Sequence, residues 1–359
     1  MPKRRIGILT AGGDCPGLNA CIRGVARASL ERFDAEIIGI RDGFRGLIQG
    51  ETQPVEAGEL SGILNRGGTI LGAARTPYRN MRVVEDDLDK VDAMKKNYKK
   101  LGLDCLVTLG GNGTHKTANL LAQEGMNVIG LPKTIDNDIF GTDVTFGFHS
   151  AVEIATEVHD RIHTTAGSHG RIMVIEIMGN KVGWLTLYAG LAGGADIVLL
   201  PELPYRNEII LEAIKKRRED GRGRYTILAV AEGAISAEEV AMKKKDMRAL
   251  RAEQGYPSVS YRVAADIEKQ TGLETRVVVP GHIQRGGSPT GYDRVLATQF
   301  GAYAAELIAQ ENYGRTVAMK GNAVGDNALC DIAGKIKAVP SDHEIIKTGR
   351  SIGICFGDA

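Results

Sequence analysis

The stretch IGILTAGGDCPGLNACIRGVARASLERF, residues 6–33, decides the fold. Its first five residues, IGILT, are an apolar, β-branched run without polar alternation, the pattern of a strand buried on both faces. From Leu18 to Phe33 the apolar residues recur at helical spacing, with polar residues on the opposite side. Between the two, Gly12-Gly13-Asp14-Cys15-Pro16-Gly17 turns the chain from strand to helix. Glycines let backbone approach an anion, and the N–H groups and dipole of the following helix supply positive potential. The turn therefore reads as a phosphate cradle, or as no more than a tight turn, and needs company to be decisive.

The company is found along the chain. Further continuous apolar runs stand at 35–41, 104–110, 127–132, 171–179, 196–201, 225–233 and 275–281, and they predict strands of parallel sheets covered by helices. Helical spacing predicts helices over Leu88–Leu101, Lys116–Gln123, His149–Thr164, Ile209–Arg218 and Arg294–Gln310. The segment Ala237–Glu268 is long and charged and breaks this rhythm, which predicts two helices forming a surface elaboration. The fold class is α/β throughout, and in such sheets ligands gather at the carboxyl ends of strands.

A chain of 359 residues is long enough for about two domains. Lys and Arg number 45 against 44 Asp and Glu, so there is no global field to steer the protein to nucleic acid or an anionic membrane. An aromatic share of 5% is too thin for a base-stacking surface. The five cysteines are scattered without a CxxC pair, which argues against a disulfide framework or zinc site and for a reducing, cytoplasmic setting. No signal-peptide pattern or membrane-length apolar run is seen.

Polar motifs follow the predicted strands. Gly110-Gly111-Asn112-Gly113-Thr114 repeats the glycine turn after the third strand, and two such turns at one sheet edge favour an elongated polyphosphate. Lys133-Thr134-Ile135-Asp136-Asn137-Asp138 follows the fourth. If the backbone stays extended there, Thr134, Asp136 and Asp138 converge on one side. Carboxylates beside phosphates imply a hard cation between them, Mg²⁺, with one carboxylate left to act as a base. An Asx-rich solvated turn is the plainer alternative. Arg75, Arg171, Arg276 and Arg285, the last among His282, glutamine and paired glycines, offer cations for a sugar phosphate. His149, His159, His163 and His169 lack a matched HxxxH pair, and Met178 and Trp184 read as packing residues.

Taken in order, GGDCPGLNA, NRGGTILGAAR, LGGNGT, PKTIDND, GSHGRIMVIEIMG, AEG and GHIQRGGSP resemble the 6-phosphofructokinase family from Gly7 to about Glu306, in particular its bacterial subgroup with PKTIDND, which contains both ATP- and pyrophosphate-dependent members. The resemblance implies two Rossmann-like three-layer domains with mainly parallel sheets. One is a phosphoryl-donor domain of 1–147 plus about 284–334, the other a sugar-phosphate domain of about 148–283 plus 335–359. It implies transfer of the γ-phosphoryl of Mg-ATP to the C1 hydroxyl of fructose 6-phosphate in glycolysis, by a cytoplasmic homotetramer whose sugar sites are completed by arginines of a neighbouring subunit.

By motif, the resemblance makes Asp136 the general base, with Thr134 holding the transferring group, Asp138 assisting through the metal environment and Arg75 neutralising phosphate charge. Gly13, Gly111, Asn112, Gly113, Thr114 and Lys133 would complete the donor site, with Asn112, Asp136 and Asp138 as candidate metal ligands. Thr134, Asp136, Met178, Gly179, Glu232, His282 and Arg285 would face the sugar, and Arg171 and Arg276 would reach it from another subunit.

Three departures qualify this. Asn112 stands where ATP-dependent members usually carry an aspartate, removing one charge from the metal site. Gly113 leaves room for a nucleotide, whereas pyrophosphate-dependent relatives tend to have aspartate there, yet Lys133 is a residue of those relatives. The reading takes ATP as donor, with pyrophosphate as the alternative. At the positions that match the regulatory pocket of bacterial relatives, Arg23 and Arg27 are kept, but His163, Ala57 and Gly223 stand where the resemblance implies basic residues, so weak or absent control by nucleoside diphosphate or phosphoenolpyruvate is expected. An NAD or lipid kinase would explain GGNGT but neither PKTIDND nor GHIQRGGSP, and a non-catalytic sugar-phosphate sensor would not need Asp136.

Overall fold

The computed structural model describes residues 3–358 apart from 86 and 222. The chain divides into two compact units, residues 1–150 with 285–337, and residues 151–284 with 338–359.

The first unit opens with β1 (Arg4–Thr10), α1 (Leu18–Arg32), β2 (Ala35–Ile40), α2 (Phe44–Gln49), β3 (Thr52–Pro54), α3 (Lys90–Lys100), β4 (Cys105–Gly110), α4 (Asn112–Gln123) and β5 (Val128–Pro132). The chain passes along α5 (Phe148–His169) into β6 (Ile172–Ile177), α6 (Trp184–Ala192), β7 (Ile197–Leu199), α7 (Asn207–Glu219) and β8 (Thr226–Ala231). Then come α8 (Ala237–Val240), α9 (Lys244–Gln254), α10 (Val259–Thr271) and β9 (Thr275–Val278). It ends with α11 (Gly291–Ala309), β10 (Arg315–Lys320), β11 (Ala323–Ala328) and α12 (Leu329–Ile332) in the first unit, and α13 (Glu344–Ser351) in the second.

The seven-stranded sheet of the first unit has the order β11-β10-β5-β4-β1-β2-β3, parallel from β10 to β2 and closed at each edge by an antiparallel strand. Every residue of β4 and β5 is buried, as expected for strands with helices on both faces. Leu9, Leu106, Val128, Phe44, Met94 and Leu121 belong to its aliphatic core. Helices α1 and α11 pack closely because Gly24 and Gly301 face the crossing. A Cβ on Gly301 would lie 2.6 Å from the Cys21 carbonyl oxygen, so the approach requires glycine.

The second unit holds a four-stranded, wholly parallel sheet of order β7-β8-β6-β9. Where two helices were expected over 237–268 there are three, α8, α9 and α10. The short α8 is set by a capping box, in which Ser236 and Glu239 satisfy each other's backbone N–H groups. Glu239 is buried and accepts from Arg251 (2.7 Å) and Arg262 (2.7 Å), which fastens α9 and α10 to it. Burial would raise the Glu239 carboxyl, but the bonds from Arg262, Arg251 and the Ser236 N–H outweigh it and hold it well below the usual carboxylate range.

The edge strands β3 and β11, and β10 beside β11, were not anticipated. They are short or polar, and β11, AVGDNA, has no apolar run at all. No helix among the described residues is long and apolar enough to cross a membrane.

Candidate active site

In the first unit, β1 lies between β2 and β4, so chain connections leave it in both directions along the sheet. Such a switch point opens a crevice at the carboxyl ends of the strands. Three segments emerge there from the neighbouring strands β1, β4 and β5: the 11–17 turn, the start of α4, and residues 133–138.

Helix α4 begins at Asn112, four residues before the predicted start, so Asn112, Gly113 and Thr114 form its first turn. Residues of poor helix propensity are tolerated there because first-turn N–H groups make no intrahelical bond. Neither α1 nor α4 has a side-chain cap at its N-terminus. His115, which the sequence reading passed over, is hydrogen-bonded to the Gly111 carbonyl (3.0 Å) and to Thr316 Oγ1 (2.9 Å). Burial pushes its pKa down to about 4, so it braces α4 against β10 as a neutral ring.

Lys133 is buried, with its backbone N–H donating to the Gly110 carbonyl (3.1 Å) and its ammonium to the Gly13 carbonyl. Desolvation lowers its pKa, and Arg285 adds to that effect, while Cys15, Asp136 and Asp14 oppose it. The Arg285 guanidinium donates to the Asp14 carbonyl (3.1 Å), and its Nη1 stands 2.9 Å from the place a Cβ on Gly13 would take. Arg285 Nε is buried with no hydrogen-bond partner among the described residues. Asp136 is desolvated, which raises its carboxyl above the ordinary range, while Arg285 and Lys133 pull it back.

The extended backbone expected through 134–138 is not found. The strand stops at Pro132, the Asp136 N–H turns back to Thr134 Oγ1 (3.0 Å), and Asn137 takes a left-handed conformation with φ 52°. A hydroxyl two residues before a free N–H competes with extended structure, and asparagine tolerates the left-handed region. The convergence of Thr134, Asp136 and Asp138 by simple alternation therefore does not hold. Asp136 lies within the field of Lys133 and Arg285, and Asp138 within that of Lys337.

Asn112 donates through Nδ2 to the Lys335 carbonyl (2.6 Å), which leaves its buried Oδ1 without a partner among the described residues. Gly113 is exposed, and a Cβ there would meet nothing within 4 Å. Thr114 is buried, whereas Arg75 is exposed, one residue beyond Ala74, whose carbonyl accepts from the Gly12 N–H (3.4 Å).

In the second unit the carboxyl ends of β6 and β8 are tied together. The Gly179 N–H donates to Glu232 Oε1 (3.3 Å), and the Glu232 N–H to the Ile177 carbonyl (2.9 Å). The Met178 N–H donates to Gln284 Oε1 (3.2 Å), and Gln284 is fully buried. That glutamine lies inside GHIQRGGSP, but its neighbours Arg285 and His282 drew the reading. His282 is exposed in the short turn after β9.

Arg171 and Arg276 are not brought to that edge. They sit at the amino-terminal ends of β6 and β9, both paired with Glu274, at 2.8 and 2.5 Å. The five residue steps from Met173, level with Arg276, to Met178 just past the end of β6 span roughly 16 Å.

The histidines of α5 serve packing. His159 bonds the Ala155 carbonyl (2.8 Å), His149 stacks on Tyr292 with ring centroids 4.2 Å apart, and His163 is held by the Gly193 carbonyl (2.7 Å) and Tyr225 hydroxyl (3.2 Å).

A family model for phosphofructokinase matches residues 5–308. An ATP-dependent 6-phosphofructokinase of Spirochaeta thermophila is 54% identical over 359 residues, 99% of this chain and 98% of that protein. A pyrophosphate–fructose 6-phosphate 1-phosphotransferase of Amycolatopsis methanolica is 44% identical over 343 residues, 94% of this chain and 97% of that protein. Among solved structures, a phosphofructokinase of Pichia pastoris matches with TM-score 0.81 and 32% identity over 93% of this chain and 36% of that one, so the chain spans about a third of its length. The match to the family model and the identity along nearly the whole chain place this protein in the phosphofructokinase family, phosphotransferases that act on a hydroxyl group.

Proposed function

We propose that this chain transfers the γ-phosphoryl group of ATP to the C1 hydroxyl of fructose 6-phosphate, giving fructose 1,6-bisphosphate and ADP, as a cytoplasmic step of glycolysis. The observation that carries this is Asp136, a half-buried carboxyl within the field of two cations, Lys133 and Arg285, in the segment that leaves β5 where the turns after β1 and β4 also open.

Asp136 accepts the proton of the C1 hydroxyl as its oxygen attacks the γ-phosphorus and the bond from that phosphorus to the β,γ-bridging oxygen breaks. The raised carboxyl is the better base for it. Thr134 orients the transferring group and Arg75 meets the charge spreading over its oxygens. That division suits a loose transition state in which positioning and electrostatics do most of the catalysis. Gly13, Gly111 and the first turn of α4 from Asn112 to Thr114 offer backbone N–H groups to the donor's phosphates, and Lys133 holds the turn they depend on.

The unpartnered Asn112 Oδ1 and the carboxylates Asp136 and Asp138 are oxygen donors that suit a hard cation. These residues would hold Mg²⁺, which when bound neutralises phosphate charge. For the sugar phosphate, the second unit offers the Met178-Gly179 backbone, Glu232 and His282, and the first unit offers Arg285. Arg171 and Arg276 lie on the opposite edge of their own sheet, which favours their serving a neighbouring subunit of a homotetramer.

The open space at Gly113 favours ATP. The relative from Amycolatopsis methanolica, at 44% identity, supports a second reading in which pyrophosphate is the donor. Phosphorus NMR of purified protein with Mg²⁺, fructose 6-phosphate and either donor separates the two. Fructose 1,6-bisphosphate with ADP is expected from ATP. Turnover with pyrophosphate alone would reverse the donor assignment, and none with either would end the proposal.

A further inference from the structure

The loop that carries Asp136 and Asp138 bends through Asn137 in the left-handed region, at φ 52°. Asparagine enters this region more readily than other residues with a Cβ, so what pins the turn in one geometry is its surroundings. Part of the hold is local, since Asn137 Oδ1 accepts from the Thr145 N–H (3.2 Å) and the Thr145 hydroxyl donates to the Thr134 carbonyl (2.7 Å). The rest comes from far along the sequence. The ammonium of Lys337 donates to Asn137 Oδ1 (2.9 Å), to the Thr142 carbonyl (2.9 Å) and to the Asp143 carbonyl (2.8 Å), and its backbone N–H donates to the Asp138 carbonyl (3.0 Å).

An ammonium has three donors, and here three acceptors of one loop receive them. The side chains of Asp138 and Asp143 add charge of the opposite sign around it. Lys337 lies beyond the 5–308 match to the family model, and its local sequence, GKIKAVP, carries no site motif.

We propose that Lys337 is a positioning residue of the reaction centre: by gathering Asn137, Thr142 and Asp143 it holds the left-handed turn and so fixes where the flanking carboxylates Asp136 and Asp138 point. The proposal rests on the reading of Asp136 as the proton acceptor. Removing the ammonium takes away the group that ties these three acceptors together, leaving the turn to the local bond from Thr145. A displacement of about 1 Å at a reacting group costs on the order of 100-fold in rate.

The test uses Lys337→Ala and Lys337→Gln in the full chain, the second retaining a shorter donor should the first fail to fold. Expected for Lys337→Ala are a kcat lower by roughly 10- to 100-fold and a KM for fructose 6-phosphate within about threefold of the parent. Amide exchange should quicken over 136–145 and stay unchanged in β1 and β4, and ethylammonium should partly and saturably restore kcat. A kcat within twofold of the parent would overturn the proposal. So would quickened exchange throughout the first unit with turnover and sugar binding lost together, because Lys337 would then be only a structural staple. Repeating the exchange measurement in an Asp136→Asn background separates the two claims. Turnover retained by Asp136→Asn would remove the base assignment, whereas an unchanged 136–145 loop on loss of Lys337 would remove this one.

Discussion

The ammonium of Lys133, at the end of β5, donates to the carbonyl of Gly13 in the turn after β1, so the two strands that flank β4 deliver turns that are fastened to each other. The bond orients the peptide beyond Gly13, in the turn proposed to meet the donor's phosphates. Lys133→Ala should raise the KM for ATP by about 10-fold, the size expected for losing a hydrogen bond from a charged donor. The KM for fructose 6-phosphate should change little. Steady-state kinetics in each substrate checks this, and an unchanged KM for ATP would mean the turn holds without the lysine.

Gly113 offers a test in which folding and donor binding separate. A Cβ there meets nothing within 4 Å, and an acidic residue in the first turn of α4 is favoured by the helix dipole. Gly113→Asp should therefore keep its melting temperature. It should lose affinity for ATP by 10-fold or more, because a carboxylate then stands where phosphates must approach, a like-charge cost of about 1.4 kcal/mol or more. Calorimetry and the KM for ATP read the two effects.

Glu239 is buried beneath Arg251 and Arg262, and taking away its charge leaves two guanidinium groups uncompensated. Glu239→Gln should destabilise the second unit by about 3 kcal/mol in denaturant unfolding. Because the folded carboxyl is held below its unfolded value, its stabilisation is present above the unfolded pKa and is lost as pH falls through the folded one. The gap between parent and variant should thus be full at neutral pH and close in acid. A gap independent of pH would contradict the ion-pair account.

The third departure from the family pattern has a structural counterpart. Both ring nitrogens of His163 are engaged, by the Gly193 carbonyl and the Tyr225 hydroxyl, so the ring is not free to meet an anion. Nucleoside diphosphate and phosphoenolpyruvate should leave the half-saturation for fructose 6-phosphate within twofold. A large shift with either effector would contradict this.

The α/β class and the positions of the glycine turns were legible because a parallel sheet buries whole strands, and such strands write unbroken apolar runs into the chain. The eight predicted strands all exist, with ends displaced by up to three residues. Edge strands left no such mark, since one side of β11 faces no partner strand and its residues need not be apolar. At the site, local motifs found the turns but not what fixes them. His115 acts through Thr316, Gln284 through the Met178 N–H and Lys337 through residues 137–143, partners distant in sequence that no spacing rule reports. The alternation argument for 134–138 failed for a related reason: a side-chain hydroxyl and a left-handed asparagine outcompeted extended backbone.

The central claim is that Asp136 takes the proton of the sugar hydroxyl, and Asp136→Asn tests it most directly. Burial raises this carboxyl in the folded chain, so its contribution to stability is present below the unfolded pKa and is lost as pH rises through the folded one. The neutral variant should therefore melt no lower than the parent at neutral pH. Its kcat should fall by roughly 10²- to 10⁴-fold, the range of a lost general base, with fructose 6-phosphate binding largely intact. Turnover within a few fold of the parent, in a variant that still binds the sugar phosphate, would contradict the account.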